Sequence, residues 1–115
     1  MRMFSFHLRN LSRGSSEVKI KFHRLVQSDL NRILKGYAEV SRELENDFYK
    51  EFMRSLTKVN ENPKLYHFEP GGLRRCNLKR FPHHFLYDTR GEDVRLWVLR
   101  HNKQRPGHGK RRFRK

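Results

Sequence analysis

Between Leu73 and Pro106 the sequence reads LRRCNLKRFPHHFLYDTRGEDVRLWVLRHNKQRP. This stretch concentrates the residue types that work on a phosphodiester. His83, His84 and His101 are groups that pass a proton in either direction near neutral pH. Arg75, Lys79, Arg80, Arg100, Lys103 and Arg105 are cations that hold phosphate oxygens, the arginines in a bidentate fork. Cleavage of RNA through its 2′-hydroxyl needs a base for that hydroxyl, an acid for the leaving oxygen and positive charge at the phosphate. On paper the inventory is sufficient, with His84, His101 and Arg100 as the catalytic candidates. Arg75, Lys79, Arg80, His83, Lys103 and Arg105 then bind nucleic acid or another target. The same residues also read as a solvated sheet face that docks an acidic partner. Adjacent strand residues point to opposite faces, so one of His83 and His84 is expected to be buried and the other exposed.

The elements that must position these groups follow from periodicity. Val18, Ile20 and Phe22 alternate with Lys19, Lys21 and His23, the pattern of a half-buried strand. Val26, Leu30, Ile33, Leu34 and Tyr37 then fall at helical spacing, predicting a helix over 25–40 with Asp29 placed to suit its dipole and Gly36 weakening its interior. Ser41 is an N-cap for a second helix, whose stripe is Leu44, Phe48, Phe52, Leu56 and Val59 and which Pro63 stops. So short a break makes the two helices an antiparallel hairpin. After a turn at EPGG (69–72) come strands at 73–80, 83–89 and 93–100, the last two joined by a hairpin on Gly91. The last strand is apolar on both faces and so is expected to be central. The order β-α-α-β-β-β predicts an α+β domain over 18–102, an antiparallel sheet with the helical hairpin on one face. Residues 1–17 read as a loosely ordered extension, with Met3, Phe4, Phe6 and Leu8 as material for a short appended strand. Residues 103–115 read as a solvated basic tail in which Phe113 is placed to stack on bases.

Composition narrows the partner. The 115 residues carry a formal charge of +15, from 27 basic and 12 acidic residues. That balance calls for an anionic partner and says nothing about fold. Residues 26–62 hold 6 basic and 7 acidic residues, whereas residues 63–100 hold 8 and 4. The positive field is therefore expected on the strands and tail. The single cysteine, Cys76, excludes an internal disulfide framework, fits a reducing cytoplasm and reads as a small buried apolar residue. Seven histidines without paired ligand spacing give no zinc site, and nothing calls for a cofactor. No stretch is apolar enough to span a membrane, and the N-terminus lacks the apolar run of a secretory signal. Trp97 and Tyr87 read as packing residues rather than base-stacking platforms.

Over about 18–106 the chain resembles the RelE/ParE superfamily of toxins from type II toxin–antitoxin modules, often described as plasmid-stabilisation proteins. The motifs that carry the resemblance are F-H-x-x-x-x-x-D-L at Phe22–Leu30, N-P-x-x-Y at Asn62–Tyr66, R-R-x-x-L-x-R-F-P at Arg74–Pro82 and V-L-x-H-x-K-x-x-P at Val98–Pro106. The resemblance implies a small cytoplasmic toxin neutralised by an acidic antitoxin. RelE-like members cut mRNA on the ribosome, and ParE-like members inhibit DNA gyrase without cutting RNA. The long helical hairpin and the R-R-F-P-like strand resemble the ParE side. His84 stands where RelE-like ribonucleases usually carry arginine, and no tyrosine follows Tyr87. The expectation is thus a gyrase-binding toxin. The alternatives are a ribosome-dependent mRNA endoribonuclease and a non-toxic basic RNA-binding protein.

Overall fold

The computed structural model describes residues 3–9, 17–105 and 108–113. Its elements are β1 (Met3–Arg9), β2 (Glu17–His23), α1 (Arg24–Ala38), α2 (Arg42–Glu61), β3 (Arg74–Asn77), β4 (His83–Arg90), β5 (Asp93–His101) and a 3-10 turn at Lys110–Arg112. The fold is α+β, with five strands in the order β1-β2-β5-β4-β3.

Local chemistry fixes the helix ends. Leu25 N–H donates to His23 Nδ1 at 3.1 Å, so the last residue of β2 is also the cap of α1. Leu44 N–H donates to Ser41 Oγ at 3.0 Å, and Glu43 and Glu45 occupy the positive first turn of α2. The stripe Phe48, Phe52, Leu56 and Val59 is fully buried and meets Ile20, Phe22, Phe85, Tyr87 and Leu96 on one sheet face. The Tyr87 hydroxyl donates to the Pro63 carbonyl and so ties the end of α2 to β4.

Two expectations are corrected. The sheet is mixed rather than antiparallel: β2 and β5 run parallel, with Ile20, Lys21 and Phe22 opposite Val94, Arg95 and Leu96. The helical hairpin is long enough to carry the chain over one face to the far edge, as a parallel pairing requires. From there β3, β4 and β5 step back antiparallel, and β5 closes against β2 as the central strand. Residues 3–9, for which the sequence offered either a loose extension or a short appended strand, pair antiparallel with β2, Phe4 opposite Phe22 and Phe6 opposite Ile20. Without this pairing β2 would present a bare edge of unpaired amides and carbonyls. Residues 10–16 lie outside the described residues.

The second correction concerns the tail. Residues 108–113 are docked on the second face of the sheet, where Phe113 packs on Trp97 at 5.4 Å between ring centroids, beside Leu73, Leu86 and Val98. Gly109 has φ 81°, and a Cβ there would fall 2.5 Å from Val98 Cγ2, so the chain passes against the sheet more closely than any side chain permits. A register shift in β4–β5 makes this face possible. Leu86 is opposite Val98 and Tyr87 is opposite Leu96, which leaves Trp97 without a partner on β4. One extra residue turns Val98 and Arg100 away from the helices while Leu96 and Leu99 both face them.

Arg112 anchors the docked segment. It donates to Asp29 Oδ2 at 2.7 Å, to Asp29 Oδ1 at 3.3 Å and to the Trp97 carbonyl at 3.1 Å. Asp29 lies beyond the first turn of α1. It does not serve the helix dipole but accepts from Leu99 N–H at 3.1 Å as well. Its side chain is 2% exposed. Removing one partner of a buried ion pair strands the other charge. Arg112→Ala should therefore lower the unfolding free energy by about 3 kcal/mol in urea denaturation. Arg111→Ala, at an exposed neighbour, should stay within about 0.5 kcal/mol of the parent.

Candidate functional site

The register sets which candidates meet. His83 lies opposite His101 and His84 opposite Arg100, so the alternation of the strands separates the three catalytic candidates onto two faces. His83 and His101 share the helix side, with ring centroids 5.0 Å apart and with Tyr37 and Phe48 packed on His83. His84 and Arg100 share the other side, under the docked tail. Both His83 and His84 are buried, against the expectation that one would be exposed, because the tail covers the second face.

Arg100, 2% exposed, is the centre of a polar network. Its Nε donates to His84 Nε2 at 2.8 Å, and one terminal nitrogen donates to the Arg105 and His108 carbonyls at 3.2 and 2.7 Å. The other meets Glu69 Oε1 at 3.4 Å. An arginine Nε can only donate, so His84 accepts at Nε2 and carries its proton on Nδ1. That proton is given to Asn102 Oδ1 at 2.6 Å. Arg75 joins from β3, donating to Glu69 Oε2 and Asn77 Oδ1 at 2.9 Å each and to Asn102 Oδ1 at 3.4 Å. Burial pulls the His84 imidazole below its usual range, the cations of Arg75 and Arg100 reinforce this, and the Asn102 hydrogen bond and Glu69 oppose it. A neutral imidazole with both nitrogens engaged neither takes a proton from a substrate nor gives one to it. Sequence reasoning read Glu69 only as part of a turn and passed over Asn102. The available signal was a carboxylate set directly before Pro-Gly-Gly and facing a basic strand.

Lys79, Arg80, Lys103 and Arg105 are the exposed candidates. Arg80 pairs weakly with Asp47 at 3.6 Å. The Lys79 backbone N–H donates to buried Glu51 at 2.9 Å, which fixes the start of the β3–β4 connection against α2. With Arg54 and Lys58 from α2, Lys79 and Arg80 line a cleft of about 250 Å³. The helical hairpin, although net acidic, thus contributes to the positive surface through the last turns of α2. Cys76 is on the same cleft, and burial pushes its thiol up to about 11, which leaves it an inert packing group. Lys103 lies beside His101: its backbone N–H donates to His101 Nδ1 at 3.0 Å. Among the described residues, no group of three or more His, Cys, Asp or Glu side chains is placed to hold a metal ion. Among these residues, too, no helix is long and apolar enough to cross a membrane.

No family model matches the chain, and no curated protein matches it.

Burial, with smaller contributions from His101 and His84, pushes His83 from its ordinary 6.5 down to about 4. The unfolded chain therefore binds more protons than the folded one between these values, so stability is full above pH 6.5 and falls as the pH drops towards 4. This one group accounts for about 3 kcal/mol over that window. In His83→Phe, which keeps an aromatic ring against Phe48 and Tyr37, the decline in urea midpoint from pH 6.5 to 4 should be visibly shallower than in the parent.

Proposed function

We propose that the chain is the toxin of a type II toxin–antitoxin pair, of the RelE/ParE kind, and that it acts in the cytoplasm by binding DNA gyrase rather than by cutting mRNA. The observation that carries the second half of this reading is the burial of His84 and Arg100 in a saturated network, away from His101. A ribonuclease needs its acid, base and phosphate-binding cation around one open point. Here the best arginine is consumed by Glu69, His84 and backbone carbonyls. Beside β3 and α2 what stays open is cationic surface without an associated proton carrier, formed by Lys79 and Arg80 with Arg54 and Lys58. Such a surface suits tight contact with an acidic macromolecule and little else.

The motifs behind the resemblance have physical roles consistent with this reading. In R-R-x-x-L-x-R-F-P, Leu78 and Phe81 are core residues, Arg74 donates to the carbonyls of Lys64 and Tyr66, Arg75 enters the network and Arg80 points to solvent. The acidic antitoxin expected beside such a toxin would cover the same cations.

Induction in a bacterial host should arrest growth, and the purified protein should inhibit supercoiling by gyrase. Lys79→Glu combined with Arg80→Glu should weaken that inhibition about tenfold or more, since like charge then meets an acidic surface. Primer extension on reporter mRNA after induction should show intact message. Codon-linked cuts that vanish in His101→Ala would transfer the protein to the ribonuclease reading. Absence of arrest, with RNA binding that weakens steeply with salt, would leave only a basic RNA-binding protein.

A further inference from the structure

An open cleft of about 370 Å³ lies between the C-terminal half of α1 and the His83–His101 corner of the sheet. It is separate from the basic cleft beside β3 and has no part in the function proposed above. Three features make it a site rather than a surface irregularity.

The first is Gly36. A glycine inside a helix costs about 1 kcal/mol relative to alanine. Gly36 has helical backbone, and a Cβ built on it would meet nothing within 4 Å. No packing contact among the described residues requires the glycine. The space it leaves belongs to the cleft, which it lines. The second is His83. It is 5% exposed, it lines the cleft, and its Nδ1 is shut from solvent with no hydrogen-bond partner. A buried polar atom left alone is costly, so the ring is held in the wall of the cleft by its packing on Tyr37 and Phe48.

The third is the sign of the polar lining. Arg32 has one N–H on Asp29 at 3.3 Å, and its side chain remains 60% exposed. The Gln104 side-chain oxygen is taken by His101 N–H at 2.9 Å, so the amide NH₂ is what Gln104 can offer. His101 Nδ1 accepts from Lys103 N–H, which in the neutral ring leaves the proton on Nε2. The cleft is thus lined by donors, and no carboxylate is among its described lining residues. Opposite them stand the apolar Ile33, Tyr37 and Val40, the last 73% exposed.

We propose that this cleft binds a small carboxylate with an apolar body, its oxygens received by Arg32, His101 and Gln104 and its body laid over Gly36 against Ile33, Tyr37 and Val40. The volume suits about ten non-hydrogen atoms and is within the ordinary range for ligand pockets.

The test titrates the full-length protein with 3-phenylpropionate, with its uncharged amide and with inorganic phosphate, reading the imidazole ¹⁵N–¹H correlations of His83 and His101. The carboxylate should shift both rings saturably. The amide and phosphate should bind at least about tenfold more weakly, since the first lacks the charge and the second the body. Gly36→Leu fills the cleft from an unobstructed position. It should abolish the saturable shift while the melting temperature holds or rises, because a helix interior gains from losing glycine. Arg32→Gln should weaken binding about tenfold. The proposal is overturned by an absent saturable shift up to millimolar carboxylate, by equal binding of the amide or of phosphate, or by unchanged binding in a folded Gly36→Leu protein. If that variant does not fold, undiminished affinity in Arg32→Gln overturns it.

Discussion

The structure depends on how β5 is completed where β2 leaves it. The two strands are in register only from Ile20–Val94 to Phe22–Leu96, because at His23 the chain turns into α1. The rest of β5, from Trp97 to His101, is central and buried up to Arg100, so its backbone groups on that side need partners that are not a strand. Asp29 and Arg112 supply them. Asp29 accepts the Leu99 N–H, Arg112 donates to the Trp97 carbonyl, and the two side chains close on each other as an ion pair. An acid from the second turn of a helix and a base from the C-terminal segment together stand in for the missing stretch of β2. This explains why the docked tail is structural. Removing it would open an edge in the middle of the sheet and uncover Trp97, Val98 and Arg100 together.

The register shift at Trp97 decides everything chemical that follows. Strict alternation beyond Leu96 would turn Val98 and Arg100 towards the helices and Leu99 away. The extra residue reverses this, so Leu99 joins the main core and Arg100 faces the tail. Arg100 then meets His84, and His101 meets His83. The three candidate histidines and six candidate cations gain no common reaction centre from this. It gains a saturated polar knot on one side and a partly open imidazole pair on the other.

Much of the fold was legible because it rests on local patterning. The two helical stripes, Ser41 as N-cap, Pro63 as terminator, Gly91 in the β4–β5 turn and the central place of β5 all follow from residues within one or two turns of one another. What was not legible comes from contacts remote in sequence. The pairing of β2 with β5 spans the whole helical hairpin, and the Asp29–Arg112 pair joins residues 83 positions apart. No periodicity announces either. The tail was misjudged for a related reason. KRRFRK has the composition of a solvated segment, and only the groove beside Trp97 and Val98 gives Phe113 and Arg112 somewhere to go. At the candidate site, residue types were read correctly as polar and cationic. Their roles depended on burial, which the sequence of β4 hid behind the expectation of one solvated face.

The buried network carries its own electrostatic logic. Among the described residues, Arg75 and Arg100 share the single carboxylate of Glu69, so these groups together keep an excess positive charge in a poorly solvated place. Such an arrangement is tolerable only if the remaining N–H groups find acceptors, because a buried cation without them is costly. The acceptors are neutral: the Arg105 and His108 carbonyls, the Asn102 and Asn77 side-chain oxygens and the unprotonated nitrogen of His84. His84 is therefore needed in its neutral form, as an acceptor. An arginine at position 84 would bring a third cation to a cluster with one carboxylate and remove the acceptor that Arg100 Nε requires. The histidine that first suggested catalysis is better understood as the residue that lets Arg100 be buried at all.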